Sequence, residues 1–282
     1  MTDTSEKYSD SRHNKMNFLE HLEVLRWVFM RIVIVLFVIA CVVYIFREFV
    51  FHEIVMASKE MDFWTYTKFC NLSHFFNSIW PNFIEADVMC FDPINPNFLP
   101  GKVTGKFVTA MLVAIIGAII VAFPYILWEF WRFLKPALYP KEKKSARGLV
   151  FFSSLLFITG ILFGYFVINP LSIHFLIGFD MGYETLNHFP MNSFMAIVAS
   201  TTLAAGVMFE LPVLIYFLSK AGIITPEVMK KYRKHAFVAT LILAAIITPP
   251  DVISQIIVAI PIVILYELSI FISRWVNKRR VI

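Results

Sequence analysis

Apolar residues in this chain come in long unbroken runs, and short charged segments separate them. Phe107 to Trp128 is the clearest run, 22 residues without a charge. A hydrocarbon core of roughly 30 Å takes about 20 such residues as a helix. The pattern predicts an all-α polytopic membrane protein with six transmembrane helices, near 27–46, 106–130, 149–171, 193–218, 236–249 and 252–273. Gly148 to Phe179 carries no Asp, Glu, Lys or Arg and is too long for one span, so the third helix is expected to leave the membrane at Asn169-Pro170. Ala236 to Pro250 and Val252 to Tyr266 are each only 15 residues without an acid or base. Fifteen helical residues cover about 22 Å. Either the bilayer thins there, flanking residues complete the spans by snorkelling, or partner helices shield the hairpin.

Charge fixes the orientation. Of 25 Lys and Arg, 20 fall on one side: the N-terminal segment up to Arg31, loop 132–147, region 220–234 and the tail from Arg274. The other five lie in 47–106. Basic residues collect on the cytoplasmic side, so both termini are expected there, as an even number of spans requires. The predicted organisation is a cytoplasmic segment 1–26, a membrane domain 27–273 with an external loop 47–105, and a basic tail 274–282. With 59% hydrophobic and 16% charged residues the chain lacks the composition of a soluble domain. The net charge of +5 belongs to orientation and anionic lipid rather than to nucleic acid. Residues 1–26 are polar, so the first apolar run reads as an uncleaved anchor rather than a signal peptide. Cys70 and Cys90 both fall in the external loop, where a disulfide is permitted and two free thiols are the alternative; Cys41 lies inside the first span.

Candidate chemistry is sparse. GxxxxGK[ST], HExxH and GxSxG are all absent, and the seven histidines are scattered, so the sequence proposes no enzyme, metal site or cofactor. What remains are acids at membrane depth. Glu210 ends an uncharged stretch that begins at Phe189, and Pro212 follows it. A carboxylate there costs several kcal/mol unless it meets a wet cavity, a partner or a proton. Proline two residues on frees a carbonyl one turn earlier and bends the helix. Glu129 and Glu267 stand near the cytoplasmic ends of the second and last spans. A proton-coupled small-solute transporter relaying through Glu210 and Glu267 is the alternative class, but such transporters commonly show internal repeats and none is evident.

Four local signatures occur in order. His21-Leu-Glu-Val-Leu-Arg26 precedes the first span, and Phe133-Leu-Lys-Pro136-Ala-Leu-Tyr-Pro-Lys-Glu142 fills the first cytoplasmic loop. Phe209-Glu210-Leu211-Pro212 stands in the fourth span, and Thr248-Pro-Pro-Asp251-Val-Ile-Ser-Gln255 joins the last two. Together they resemble the TatC family, integral receptors of the twin-arginine protein translocase, from about residue 17 to 275. The resemblance implies a cup-like arrangement of six helices in the bacterial inner membrane. It implies binding of twin-arginine signal peptides at the cytoplasmic face and export of folded proteins by a hetero-oligomer with small single-span subunits of the TatA and TatB type, driven by the proton gradient. It assigns Glu142, Glu23, Glu20, Arg26, Phe133 and Pro136 to the signal site, and Glu210, Gln255 and Asp251 to transport. A guanidinium pair suits carboxylates in fork geometry. One position departs from the pattern. The family usually has an acid two residues before the motif's Arg, and here that residue is Val24, so Glu23 or Glu20 replaces it or it is lost.

Overall fold

A computed structural model of the chain describes residues 18–59, 64–79, 90, 97–99, 103–134, 146–178, 188–248 and 252–280. The first span is α1, Phe18–Ile45, and the second α4, Val103–Leu134. Between them lie α2 (Arg47–Phe49), a π-helical turn Val50–Val55, a short 3-10 turn, α3 (Trp64–Ile79) and the strand β1 (Asn97–Leu99). The third span joins α5 (Ala146–Phe163) through a π turn, Gly164–Ile168, to α6 (Asn169–Gly178). Strand β2 (His188–Pro190) precedes the fourth span, which is broken into α7 (Met191–Phe209) and α8 (Leu211–Ala221). Then come α9 (Pro226–Lys231), α10 (Arg233–Ile247) and α11 (Val252–Arg280). Five of these helical stretches are long and apolar enough to cross a membrane; α10, with 15 residues, is the short one. Six spans and an all-α fold stand as read from the sequence, with one addition, a three-residue parallel pairing of β1 and β2.

At Asn169-Pro170, where the third helix is expected to leave the membrane, the helix itself continues to Gly178, and the reason is local. Pro170 has no N–H to give the carbonyl four residues back, that of Phe166. The Thr65 hydroxyl of α3 donates to that carbonyl instead. Asn169, fully buried, donates to the carbonyl of Val198 at 3.2 Å and to Thr202 Oγ1 at 2.8 Å, and its Oδ1 accepts from Thr201. The Asn-Pro pair is thus satisfied inside the bundle by α3 and α7. The basic tail is likewise helical, since α11 runs on to Arg280.

Antiparallel pairs build the bundle. Arg31 of α1 lies beside Glu129 of α4, and Val43, twelve residues on along α1, meets Gly117, twelve residues back along α4. Helices α5 and α7 approach closely because Gly160 faces Gly206, and just beyond α5 Gly164 faces Ala205 and Thr202; a methyl on Gly160 would sit 2.8 Å from the Ala205 carbonyl oxygen. Small residues let backbones meet in this way where lipid offers no hydrophobic drive to associate. Phe157, fully buried, fills the space between Gly206 and the stacked ring of Phe123 on α4. A second cluster, Ile168, Ala205, Ala244, Val258 and Ile262, joins the third and fourth spans to the last two. Along α1 much of the apolar surface is open, including Phe29, Ile34 and Phe37.

At one end of the bundle Thr65, Phe166, Tyr165 and the β1–β2 pair hold the segments between spans together. There Cys70 is bonded to Cys90, and among the described residues Cys41 is the free cysteine. His74 Nε2 lies 3.8 Å from Cys90 Sγ, but with the bridge closed neither sulfur is a thiolate available to a metal. The opposite end gathers the start of α1, the end of α4, α8 through α10 and the end of α11. The contacts Arg31–Glu129, Trp131–Phe217, Ser219–Ser273 and Arg233–Glu267 link these pieces.

Candidate functional site

Two polar groupings stand out, one at the basic end and one inside the fourth span. At the basic end, α1 carries Glu23 and Arg26, both exposed, with the Arg26 guanidinium 5.8 Å over the Trp27 ring. Val24 is half-buried, so the position where an acid is missing turns towards the bundle while Glu23 faces outwards. Phe133 is half-buried on the last turn of α4. Glu142 and Pro136 lie outside the described residues, as do Asp251 and the side chain of Glu20.

The cluster that ties α1 to α4 was missed in the sequence. Glu129 is buried, with 3% of its surface exposed. Its carboxylate lies 3.5 Å from Arg31 Nη1 and 3.7 Å from Arg132 Nη1, and it accepts from the Tyr125 hydroxyl at 3.2 Å. A buried charge needs such company. The signal was there to find, since Arg31 is a lone cation in the first apolar run and Glu129 an acid near the matching end of the next. Charges of opposite sign at equal depth in adjacent antiparallel spans are placed to pair.

Inside the fourth span the backbone breaks at Glu210. Its N–H bonds to the Val207 carbonyl, α8 begins one residue later, and Pro212 occupies its first turn. The break turns the Glu210 side chain towards α5, where the Ser153 hydroxyl donates to Oε2. Oε1 is buried without a hydrogen-bond partner. Glu267 is elsewhere, exposed and paired with Arg233 of α10 at 2.6 Å. Glu210 and Glu267 therefore have different partners on different helices, which is poor geometry for a direct relay between them. Gln255, near the start of α11, donates to the Leu241 carbonyl of α10 at 3.0 Å and braces the last hairpin.

These features define a multi-pass helical membrane protein with an ion-paired basic end and a buried acid at the break in its fourth span. A family profile described as "Sec-independent protein translocase protein (TatC)" matches residues 20–261. The TatC protein of Blattabacterium sp. subsp. Periplaneta americana (strain BPLAN) is 37% identical over 267 residues, 95% of this chain and 98% of that one. The TatC of Helicobacter pylori strain J99 is 44% identical over 168 residues, 60% of this chain and 67% of that one. A crystal structure titled twin arginine translocase receptor TatC superposes with a TM-score of 0.65 at 29% identity, covering 92% of this chain and all of the other. The chain belongs to the TatC family of protein translocase components.

Proposed function

We propose that the chain is the receptor subunit of a twin-arginine translocase. The arginine pair of a signal peptide docks at the cytoplasmic end, with Glu142 as one acid and Glu23 or Glu20 as the other. Phe133 and Pro136 shape the loop around it, and Arg26 borders it. The observation that carries this reading is the Arg31–Glu129 contact. It fixes α1 against α4 at 3.5 Å, so that the segment 20–26 and the helix end bearing Phe133 share one end of the bundle although about a hundred residues separate them. The bound cargo is then passed across the bacterial inner membrane by a hetero-oligomer that includes small single-span subunits, driven by the proton gradient. Helix α10 is the surface for such a subunit: it has 15 residues, and Phe237, Val238, Ile242 and Ile246 stand exposed along it. An under-length span gains from a neighbouring helix.

Pull-down with a twin-arginine signal peptide against its Lys-Lys variant tests recognition. Lys offers a point charge in place of the guanidinium fork, so retention should fall. Glu142→Ala should block export of a twin-arginine substrate at matched protein level. Normal export by that variant would sink the assignment of the site.

A further inference from the structure

We propose that Arg31 and Arg132, held together by the buried carboxylate of Glu129, form a headgroup site for an anionic phospholipid at the rim between α1 and α4. The cluster has two guanidinium groups and one carboxylate, so it carries a net positive charge. The carboxylate side chain is only 4% exposed, whereas Arg31 and Arg132 are 43% and 62% exposed. Glu129 thus occupies the inner side of both arginines and leaves their remaining N–H donors pointing outwards. Planar guanidinium forks match phosphate oxygens. Glu129 lies five residues before the end of α4, within a helix long enough to span a bilayer, which sets the cluster near the boundary of headgroups and hydrocarbon.

The surroundings select a lipid among anions. Trp27 and Trp128 are exposed on the same two helices, one turn before Arg31 and one residue before Glu129, in keeping with the aromatic belt of an interface. Further along α1, Ile34, Phe37 and Val38 are exposed, an apolar track on which acyl chains can lie. Basic pockets between transmembrane helices on the cytoplasmic side are a recurrent form of anionic headgroup site. A signal-peptide arginine pair would instead meet a site of its own sign whose acid is already engaged. The inference is independent of the signal-peptide reading and holds or fails without it.

The test is retention of lipid by the purified full-length protein in detergent, followed by native mass spectrometry. Phosphatidylglycerol and phosphatidylcholine with the same chains are titrated separately. Phosphatidylglycerol should bind the wild type more tightly. Each basic residue near the membrane surface contributes about fivefold, so Arg132→Gln should weaken it about fivefold and Arg31→Gln with Arg132→Gln about 25-fold. Arg132→Gln leaves the Arg31–Glu129 pair in place, so its folding is safe even if the double variant does not fold. Lys230→Gln with Lys231→Gln, on the exposed surface of α9, should leave the affinity unchanged. Unchanged phosphatidylglycerol binding in Arg132→Gln, equal binding of phosphatidylcholine, or the same loss in the α9 variant would overturn the site. So would displacement by inorganic phosphate beyond a chloride control of equal ionic strength, which would make the ligand free phosphate.

Discussion

Gly160→Ala tests whether the approach of α5 to α7 holds this bundle together. The added Cβ would stand 2.8 Å from the Ala205 carbonyl oxygen, 2.8 Å from Phe209 Cβ and 2.9 Å from Gly206 Cα. Ordinary contact begins at 3.4 Å, so the two helices must part by about 0.6 Å, because all three neighbours are backbone or the root of a side chain. Forcing a methylene into a packed interior costs about 1–3 kcal/mol. Three rigid contacts place this site near the upper value, about 3 kcal/mol, from which the better helix propensity of Ala removes up to about 1 kcal/mol. The net loss is about 2 kcal/mol, or about 30-fold in the unfolding equilibrium. Gly148, on the same helix, has nothing within 4 Å of a built Cβ, so Gly148→Ala should be neutral or slightly stabilising. Unfolding of both variants in mixed detergent with increasing dodecyl sulfate measures the difference. Gly160→Ala with Gly206→Ala should lose less than the sum of the two, since one separation of the helices relieves both clashes. If Gly160→Ala and Gly148→Ala unfold together, close glycine packing is not what joins α5 to α7.

Thr65→Val removes the hydroxyl that serves the Phe166 carbonyl and leaves that group unsatisfied, so the same unfolding assay should show a loss of about 1–3 kcal/mol. Under denaturing, non-reducing conditions one free thiol, Cys41, should be counted, and three after reduction; two or three before reduction would rule out the Cys70–Cys90 bridge. Glu210→Ala should leave signal-peptide binding intact and impair transport, read by pull-down and export side by side; lost binding would move Glu210 into recognition. Glu227 opens α9, where its own backbone amide, the Thr225 hydroxyl and then Lys230 and Arg274 hold its carboxyl below the ordinary value. A depressed folded value means that its contribution is present above the unfolded value of about 4.3 and is lost as pH falls through the folded one. Hydrogen exchange in α9 should therefore lose protection as pH falls below about 4.3 in the wild type, whereas Glu227→Gln should show no such step.

Span number was legible because apolar run length answers to bilayer thickness, and α4 follows it directly. The last span is not short as its 15-residue uncharged run suggested: α11 carries Glu267 and the basic tail on one continuous helix of 29 residues. Identity was legible from short motifs whose residues sit at helix ends and loops: His21 to Arg26 on α1, Phe209 to Pro212 at the break. What the sequence hid was pairing at a distance. The third helix runs on through Asn169-Pro170, where proline withholds a hydrogen bond and a buried asparagine needs partners. Both penalties are removed by residues that no local reading supplies. Thr65 lies about a hundred positions upstream, and Val198, Thr201 and Thr202 lie about thirty downstream. Likewise Arg31 was counted for orientation alone, and only the register of α1 against α4 shows which acid it meets.

Those satisfied penalties bear on how the molecule works. Asn169 is fully provided for, with donor and acceptor both engaged, and Glu129 has two cations and a phenol around it. Glu129 Oε2 is buried without a hydrogen bond, but the Arg31 guanidinium stands 3.5 Å from it. At Glu210 one carboxylate oxygen meets Ser153, the other is buried with no hydrogen bond, and the helix is broken beside it. A buried polar network that is completed makes a rigid joint, whereas one left incomplete costs stability that a purely structural site has no reason to keep. The rigid joints lie between α1 and α4 and between the third and fourth spans. The buried acid with no cation beside it among the described residues lies in the fourth span, at the break between α7 and α8. Rearrangement during transport should therefore begin at Glu210, with the α1–α4 end staying as it is.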